Sequence, residues 1–281
     1  RLSWEILDAF RAAAAETGIP PTEDFNRGDN EGCGYFRVNQ RRGVRWTTAK
    51  AFLRPVRNRA NLAVATHAQV LRILVTEGRA TGVVFVRDGV EQTARAGEVI
   101  LAAGAVGSPH LLELSGIGDA ERLGDLGIAP VLDRPAVGES LQDHLQIRLA
   151  YRVRGTRTLN EASHSMVAKA GMVLNYAATR RGPLSMAPSQ LGAFARSDPA
   201  LATPNLEWHI QPLTTDKLGE PLHREAGFTA SVCNLRPVSR GSIHARSGPG
   251  DIDGNPSAHR SSTGNSNMSS VTLANTPAQC S

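Results

Sequence analysis

The stretch GEVILAAGAVGSPHLLELSGIG, residues 97–118, carries the clearest structural pattern in the chain. Its first half is a short apolar run ending in small residues, which is typical of a buried parallel strand. Ser108 followed by Pro109 predicts a capped helix start, and the glycines after Ser115 predict its end two turns later. The stretch therefore predicts a strand, a small-residue turn and a helix. This spacing alone leaves open whether the turn meets a ligand or only packs closely.

The composition is that of an ordinary globular chain. Hydrophobic residues make up 41% of the 281 residues, which is enough for a large core and two domains. The net charge of +5 comes from arginines that are scattered or in short pairs such as Arg41-Arg42, so a solvated surface and no nucleic-acid partner are predicted. Cys33, Cys233 and Cys280 lack Cys-x-x-Cys spacing. We therefore predict no metal ligands and favour a reducing compartment over a disulfide scaffold.

The location of the protein stays open at this stage. No apolar run reaches the roughly 18 to 20 residues that a transmembrane helix needs, so no transmembrane segment is predicted. Nothing at the start resembles a signal peptide, although the first residue is Arg1 and the natural beginning is expected to lie upstream. A cytoplasmic or peripheral membrane location is favoured over secretion.

Before the opening stretch, the chain predicts a helix, a loop and an antiparallel meander. Residues 3–17 place apolar side chains at helical spacing, and residues 26–45 are rich in glycine and asparagine, which predicts a loop. Residues 61–75 and 82–95 have the composition of strands, and Asp88-Gly89 is a hairpin turn signal. Such a meander would lead directly into the predicted strand of residues 97–103.

After the opening stretch, the pattern changes twice. Residues 119–128 predict a second short helix that ends at a glycine. Beyond Arg148 the pattern predicts three strands and one helix. The strands lie near 151–154, 205–211 and 228–234, and the helix covers 162–179.

The residues of the opening stretch resemble a known family. The pattern GA-x-x-SP-x-LL-x-x-SGIG over residues 104–118 is similar to the second signature of the glucose-methanol-choline oxidoreductases, flavoenzymes that oxidise alcohols. Three further segments also resemble the family: 61–75, 137–144 and 236–241. In the second of these, Ser140 stands where the family commonly has asparagine. The resemblance stops a few residues after Ile243.

The resemblance implies an α/β fold with a defined division. Residues 1–147 are expected to form the later part of an FAD-binding parallel-sheet domain that contains the antiparallel meander. Residues 148–246 are expected to form part of a substrate-binding domain with an antiparallel sheet. Residues 247–281 are rich in serine, asparagine and proline, which predicts a disordered tail outside the family pattern. A shift of reading frame in the gene is favoured over a genuine tail.

The resemblance also implies a cofactor and a reaction. The cofactor is FAD, with Val70, Ala103 and Gly104 as expected contacts, and the reaction is hydride transfer from an alcohol carbon to the flavin. Two parts of the machinery are not found in this sequence. No Gly-x-Gly-x-x-Gly follows an early strand. The catalytic histidine and its partner belong to the family's C-terminal region, so no catalytic residue is assigned.

The sequence leaves the substrate and the activity of this chain open. Gln190 lies where members that bind a quaternary ammonium alcohol are expected to place a carboxylate, so choline is disfavoured. The expected partner is a small-molecule alcohol, and the oligomeric state is undetermined. Two alternatives stay open: an inactive, incomplete product, and a flavin-containing lyase that cleaves cyanohydrins.

Overall fold

The computed structural model describes residues 2–217 and 219–248 and the backbone of 259–260. The expected tail of residues 247–281 lies almost wholly outside these described residues. The α-helices are α1 Glu5–Glu16, α2 Gly104–Leu114, α3 Ala120–Asp125, α4 Leu159–His164 and α5 Met166–Thr179. The strands are β1 Gly32–Tyr35, β2 Gln40–Arg41, β3 Val44–Arg45, β4 Gln69–Thr76, β5 Arg79–Arg87, β6 Val90–Arg95, β7 Ile117–Gly118, β8 Leu132–Asp133, β9 Gln146–Arg152, β10 Leu191–Ala195, β11 Leu206–Gln211, β12 Gly227–Asn234, β13 Ile243–His244 and β14 His259–Arg260.

The chain forms two compact units, and each unit combines two separate stretches. Unit 1 contains Arg1–Thr48 and His144–Pro237. Unit 2 contains Ala49–Asp143 and Val238–Ser281. The N-terminal stretch therefore shares a unit with the later half of the chain. The domain boundaries expected at residues 147 and 246 stay a prediction.

Unit 1 is built on a five-stranded antiparallel sheet. The strand order is β1-β10-β11-β12-β9, and every neighbouring pair is antiparallel. The antiparallel sheet expected for residues 148–246 is therefore confirmed. Its edge strand β1 was not expected, because residues 26–45 were predicted to be a loop.

The two faces of this sheet differ in chemistry because side chains alternate along each strand. One face carries Tyr35, Leu191, Ile210 and Ala230 as successive cross-strand partners. These residues form the main core with Leu7 and Ala14 of α1. The opposite face, which we call the polar face, carries two rows of cross-strand partners. They are Gly34, Gly192, His209, Ser231 and Arg148, and Gly32, Phe194, Glu207, Cys233 and Gln146.

Unit 2 contains the predicted meander. Strands β4, β5 and β6 pair in that order, and both pairings are antiparallel. Asp88 and Gly89 both have positive φ, at 53° and 76°, as the predicted hairpin turn requires. Leu111 of α2 packs with Ile73 and Val83 of the meander in a second, smaller core. Residues 61–66 form no strand, so the meander begins later than predicted.

The opening stretch differs from its prediction in two ways. Residues 97–103 form no strand, and the parallel pairings found in the described residues are the short contact between β7 and β8 and a single bridge between Pro21 and Cys33. A strand needs a hydrogen-bonded neighbour, and no described segment pairs with residues 97–103. Helix α2 begins at Gly104, so Ser108 and Pro109 lie inside the helix and Ser108 is not its N-cap. The predicted end after Leu114 is confirmed.

The remaining helices follow the sequence closely. Helix α1 lies within the predicted 3–17, and Asp119 caps α3 by accepting a hydrogen bond from the Arg122 N–H at 2.9 Å. The helix predicted over 162–179 is found as α4 and α5, with a break at Ser165 that serves as the N-cap of α5. Among the described residues, no helix combines the length and the apolar character that crossing a bilayer requires.

Candidate functional site

The turn before α2 is open and small. Ala103 is the N-cap of the helix and is buried, and Gly104 is exposed with φ at 78°. This left-handed conformation favours glycine. A Cβ at Gly104 would meet no described heavy atom within 4 Å. A flat or charged group can therefore approach the backbone here without meeting a side chain.

The N-terminus of α2 is suited to a group with negative charge. The helix has 11 residues, and its N-cap makes no side-chain capping hydrogen bond. The first backbone N–H groups of a helix point outward and carry a partial positive charge. Ser108, one turn further on, turns back and accepts a hydrogen bond from the Ala103 N–H at 3.1 Å. Ser108 therefore fixes the turn from inside the helix.

A cavity of about 310 Å³ lies beside the same helix. It brings together β13 and two of the segments that resemble one family, 104–118 and 137–144. Its lining comes from α2, from the 137–144 segment and from β13: Ala105, Pro109, Gly138, Glu139, Ser140, Leu141, Gln142 and Ile243. Segments that are more than 100 residues apart in sequence thus meet at the start of α2.

The end of α2 is fixed to the meander by one side chain. The Ser115 hydroxyl donates to the Leu111 carbonyl at 2.6 Å and accepts from the Ile73 N–H at 2.8 Å. These two bonds use its proton and one acceptor position while the residue is buried, so Ser115 has a structural role and is not exposed as a nucleophile. Val70 is the second residue of the same strand and packs against this small core. The structure thus places Val70, Ala103 and Gly104 in one unit, on two elements that pack together, and their contact with a cofactor stays a prediction.

A buried ionic network that the sequence did not indicate supports the cavity. Glu113, which is 1% exposed, faces His244, with Oε1 and Nδ1 2.7 Å apart. The second carboxylate oxygen of Glu113 accepts from the Ala245 N–H at 2.5 Å. His244 Nε2 lies 2.9 Å from Glu139 Oε1. The network joins α2, the 137–144 segment and β13, and its members are 131 and 105 residues apart.

Two further histidines lie in regular secondary structure. His110 lies on α2, where burial lowers its pKa and the charge of Glu113 opposes that effect. His209 lies on β11, 3.2 Å from Glu207. The sequence predicts no catalytic residue in this chain, and this stays a prediction.

Unit 1 contains Gln190, the residue on which the substrate argument rests. Gln190 directly precedes β10, and its side-chain Oε1 is buried without a hydrogen-bond partner among the described residues. A buried carbonyl oxygen without a donor is costly, so this position is suited to a hydrogen-bond donor from outside the described structure.

Taken together, these features describe two units. One combines an antiparallel meander with α2 and its open N-terminus, and the other is built on an antiparallel sheet with one polar face. Residues 4–146 match the sequence model described as GMC oxidoreductase. The chain belongs to the GMC oxidoreductase family.

Relatives with known activities extend over most of the chain. The alcohol dehydrogenase [acceptor] of Pseudomonas putida is 38% identical over 247 residues, which is 86% of this chain and 44% of that protein. The oxygen-dependent choline dehydrogenase of Staphylococcus haemolyticus is 36% identical over 242 residues, 86% of this chain and 42% of that protein. The chain spans less than half the length of these two relatives.

Solved structures show the same fold. Pyridoxine 4-oxidase from Mesorbium loti superposes with a TM-score of 0.72 at 27% identity, over 87% of this chain and 44% of that one. A formate oxidase of Aspergillus oryzae, in a structure that addresses FAD modification, superposes with a TM-score of 0.75 at 22% identity, over 87% and 48%. The mixed α/β architecture is thus the one found in GMC flavoprotein oxidases.

Proposed function

We propose that this chain is part of an FAD-dependent oxidoreductase that oxidises the CH–OH group of a small alcohol. The observation that carries the proposal is the 38% identity over 247 residues to a protein named as an alcohol dehydrogenase. The bound flavin supplies the hydride acceptor, which no amino-acid side chain provides.

The residues of unit 2 fit such a cofactor. The open backbone at Gly104 and the small side chain of Ala103 admit a flat group at close range. The uncapped N–H groups at the start of α2 suit a nucleotide phosphate or a polar ring edge. Val70 would meet the adenine with its main chain. The protein's part is to bind and orient the cofactor and the alcohol.

We propose an uncharged alcohol in preference to choline. Gln190 is neutral, so its amide cannot balance the charge of a trimethylammonium group. Its unpaired Oε1 can instead accept a hydrogen bond from a hydroxyl group. Relatives named as choline dehydrogenases are only slightly less similar than the alcohol dehydrogenase, so the substrate must be tested directly.

A chimeric enzyme tests the proposal in a complete protein. Residues 4–243 of this chain replace the matching segment of the Pseudomonas putida alcohol dehydrogenase. We expect a yellow protein whose flavin is bleached without oxygen by primary aliphatic alcohols and not by choline. A folded chimera without flavin contradicts the cofactor proposal, and bleaching by choline alone contradicts the substrate proposal. Cleavage of a cyanohydrin without bleaching favours the lyase alternative.

The cofactor contacts have a matched control within unit 2. Gly104 and Gly78 have similar positive φ angles, 78° and 74°, and a Cβ meets no described atom within 4 Å at either position. Alanine therefore introduces the same backbone strain at both. In the chimera, we expect Gly104→Ala to weaken flavin binding at least tenfold and Gly78→Ala to leave it unchanged, as measured by flavin fluorescence. Equal effects would show that strain, and not contact, is responsible.

The inactive-product alternative is tested on the chain itself. It predicts that the 281-residue protein remains colourless after incubation with FAD. A stoichiometric yellow complex excludes that alternative.

A further inference from the structure

Three potential metal ligands lie together on the polar face of unit 1. Glu207 and His209 are two residues apart on β11, so their side chains share one face. Cys233 of β12 is the direct cross-strand partner of Glu207. One ligand atom from each residue lies within 4.8 Å of the other two. The antiparallel register therefore holds a carboxylate, an imidazole and a thiol in one place.

The distances between these atoms are close to those around zinc. His209 Nε2 lies 3.2 Å from Glu207 Oε1, and Cys233 Sγ lies 3.8 Å from Glu207 Oε2. Ligands at the usual Zn–N, Zn–O and Zn–S distances in a tetrahedron are separated by about 3.4 Å for N and O and about 3.6 Å for S and O. The two contacts use different oxygens of the Glu207 carboxylate, and one ligand atom from each residue lies within 4.8 Å of the other two, so the side chains would have to draw together around one ion.

We propose that Glu207, His209 and Cys233 form a binding site for one zinc-type divalent transition-metal ion, with a fourth coordination position open to water or a small anion. A thiolate and an imidazole select zinc-type ions over magnesium and calcium, which prefer oxygen ligands. Three protein ligands and one open position are the arrangement of a non-structural zinc site.

The surroundings hold these side chains and leave one side open. Phe36 packs against the ring of His209, with centroids 5.6 Å apart, and Phe194 is the cross-strand partner of Glu207. Cys233 is buried and the Glu207 side chain is 15% exposed, whereas the His209 side chain is 32% exposed. An ion can therefore enter from the His209 side.

The charges of the ligands match a divalent ion. A divalent ion with a carboxylate and a thiolate forms a neutral set. Arg148 of β9 is the cross-strand partner of Ser231, and its Nη2 is buried without a hydrogen-bond partner among the described residues. Its positive charge disfavours a bound cation whose charge the ligands do not balance.

The site uses none of the residues that are proposed to contact the flavin. Its three residues lie in unit 1, whereas Val70, Ala103 and Gly104 lie in unit 2. The ligands are 2, 24 and 26 residues apart in sequence, which is no zinc-finger spacing, so the linear sequence gave no indication of them.

Cobalt provides a spectroscopic test on the complete 281-residue chain carrying Cys280→Ser. We expect one Co²⁺ per chain and a near-ultraviolet thiolate-to-cobalt charge-transfer band. Cys233→Ser should remove the band, and His209→Gln should weaken zinc affinity at least about tenfold. The control is Cys33→Ser. Cys33 is a buried thiol of the same sheet, and burial raises its pKa to about 11, but it lies on the opposite face. It should leave the band intact.

A second readout needs no substitution at the site. Alkylation of the Cys280→Ser chain at pH 9 is followed by peptide mass mapping with and without Zn²⁺. We expect Zn²⁺ to slow modification of Cys233 at least tenfold and to leave Cys33 unchanged. Absence of a cobalt band, a band that survives Cys233→Ser in a folded variant, or equal protection of both thiols overturns the proposal. Near-ultraviolet circular dichroism of the aromatic side chains reports folding.

Discussion

Glu113 shows how one buried charge organises a site. It lies on α2 between three leucines, and its two oxygens accept from His244 and from the Ala245 N–H. Both nitrogens of His244 face carboxylates, which only accept hydrogen bonds, so a protonated imidazole can satisfy both. The neighbouring Gly138 leaves no room for a Cβ, which would meet the Ile243 carbonyl and the His244 ring. The network therefore fixes the floor of the cavity beside α2.

We expect Glu113→Gln to lower the free energy of unfolding of unit 2 by about 2–4 kcal/mol. The substitution keeps the shape but removes the carboxylate charge and one of the two acceptor oxygens, so His244 Nδ1 and the Ala245 N–H can no longer both donate to this side chain. Urea unfolding followed by circular dichroism measures the loss. The control is Glu139→Gln, since Glu139 contacts the same imidazole but is 51% exposed and should cost less than about 1 kcal/mol. Equal losses would show that burial of the carboxylate is unimportant.

The two buried thiols give a pH prediction. Burial raises the pKa of Cys33 and of Cys233 from 9.0 to about 11. Unfolding lowers these values, so the thiols contribute stability that is fully present below pH 9 and is lost as the pH rises toward 11. With EDTA present and Cys280 replaced by serine, we expect alkylation of the folded chain to accelerate about tenfold per pH unit between pH 8 and 10. In the urea-unfolded chain, the alkylation rate should level off near pH 9. The same behaviour in the folded chain would contradict the prediction.

At the scale of elements, the polar face depends on close packing over a glycine. Gly192 of β10 has no side chain, and the ring of Phe36 occupies the position where a Cβ would lie. The same ring packs against His209 and, at 5.4 Å between centroids, against Phe25. The glycine thus leaves room for an aromatic side chain that also contacts His209 of β11.

We expect Gly192→Ala to destabilise unit 1 by about 1–3 kcal/mol because the added methyl group collides with Phe36. Gly171→Ala in α5 is the matched change in the same unit. It meets no described atom and should stabilise by about 0.5–1 kcal/mol, since alanine is the better helix residue. Urea midpoints of both variants measure the difference. Adding Phe36→Leu to Gly192→Ala should restore part of the lost stability. No restoration would show that a contact other than the one with Phe36 causes the loss.

The sequence predicted the elements whose signals are local. The Asp88-Gly89 turn, the alternation of β11 and β12, and the C-terminal ends of α1 and α2 all depend on neighbouring residues, and each was found. Strand β1, with the sequence Gly-Cys-Gly-Tyr, has poor strand propensity and exists because β10 pairs with it from about 160 residues away. The network of Glu113 and the cluster of Cys233 were missed for the same reason. Ser108 was misassigned because a Ser-Pro pair is compatible with both a helix start and a helix interior that turns back on itself.

At the scale of the whole molecule, much apolar surface is uncovered. Helix α5 has no buried residue, and Met166, Val167, Val173 and Leu174 are between 55% and 84% exposed. Strand β9 exposes Ile147, Leu149 and Tyr151 along one face. Exposed patches of this kind promote association.

We therefore expect the chain to self-associate at micromolar concentration. Val167→Glu combined with Leu174→Lys on α5 should shift it toward the monomer, because each change places a charge on the apolar surface. Light scattering coupled to gel filtration measures the mass. Val238→Lys is the control, since Val238 is 95% exposed but lies outside α5. An identical mass for all three proteins would show that α5 does not mediate association.

The pairing of β1 with β10 also determines when the protein can fold during its synthesis. Residues 32–35 leave the ribosome long before residues 191–195, and at about 5–20 residues per second the interval is roughly 8–32 seconds. The meander of unit 2 joins neighbours across two-residue turns and can close within that interval. Throughout this interval, the apolar side of α1 has no complete sheet to pack against. Unit 1 is therefore the part of the nascent chain that we expect to depend most on chaperones.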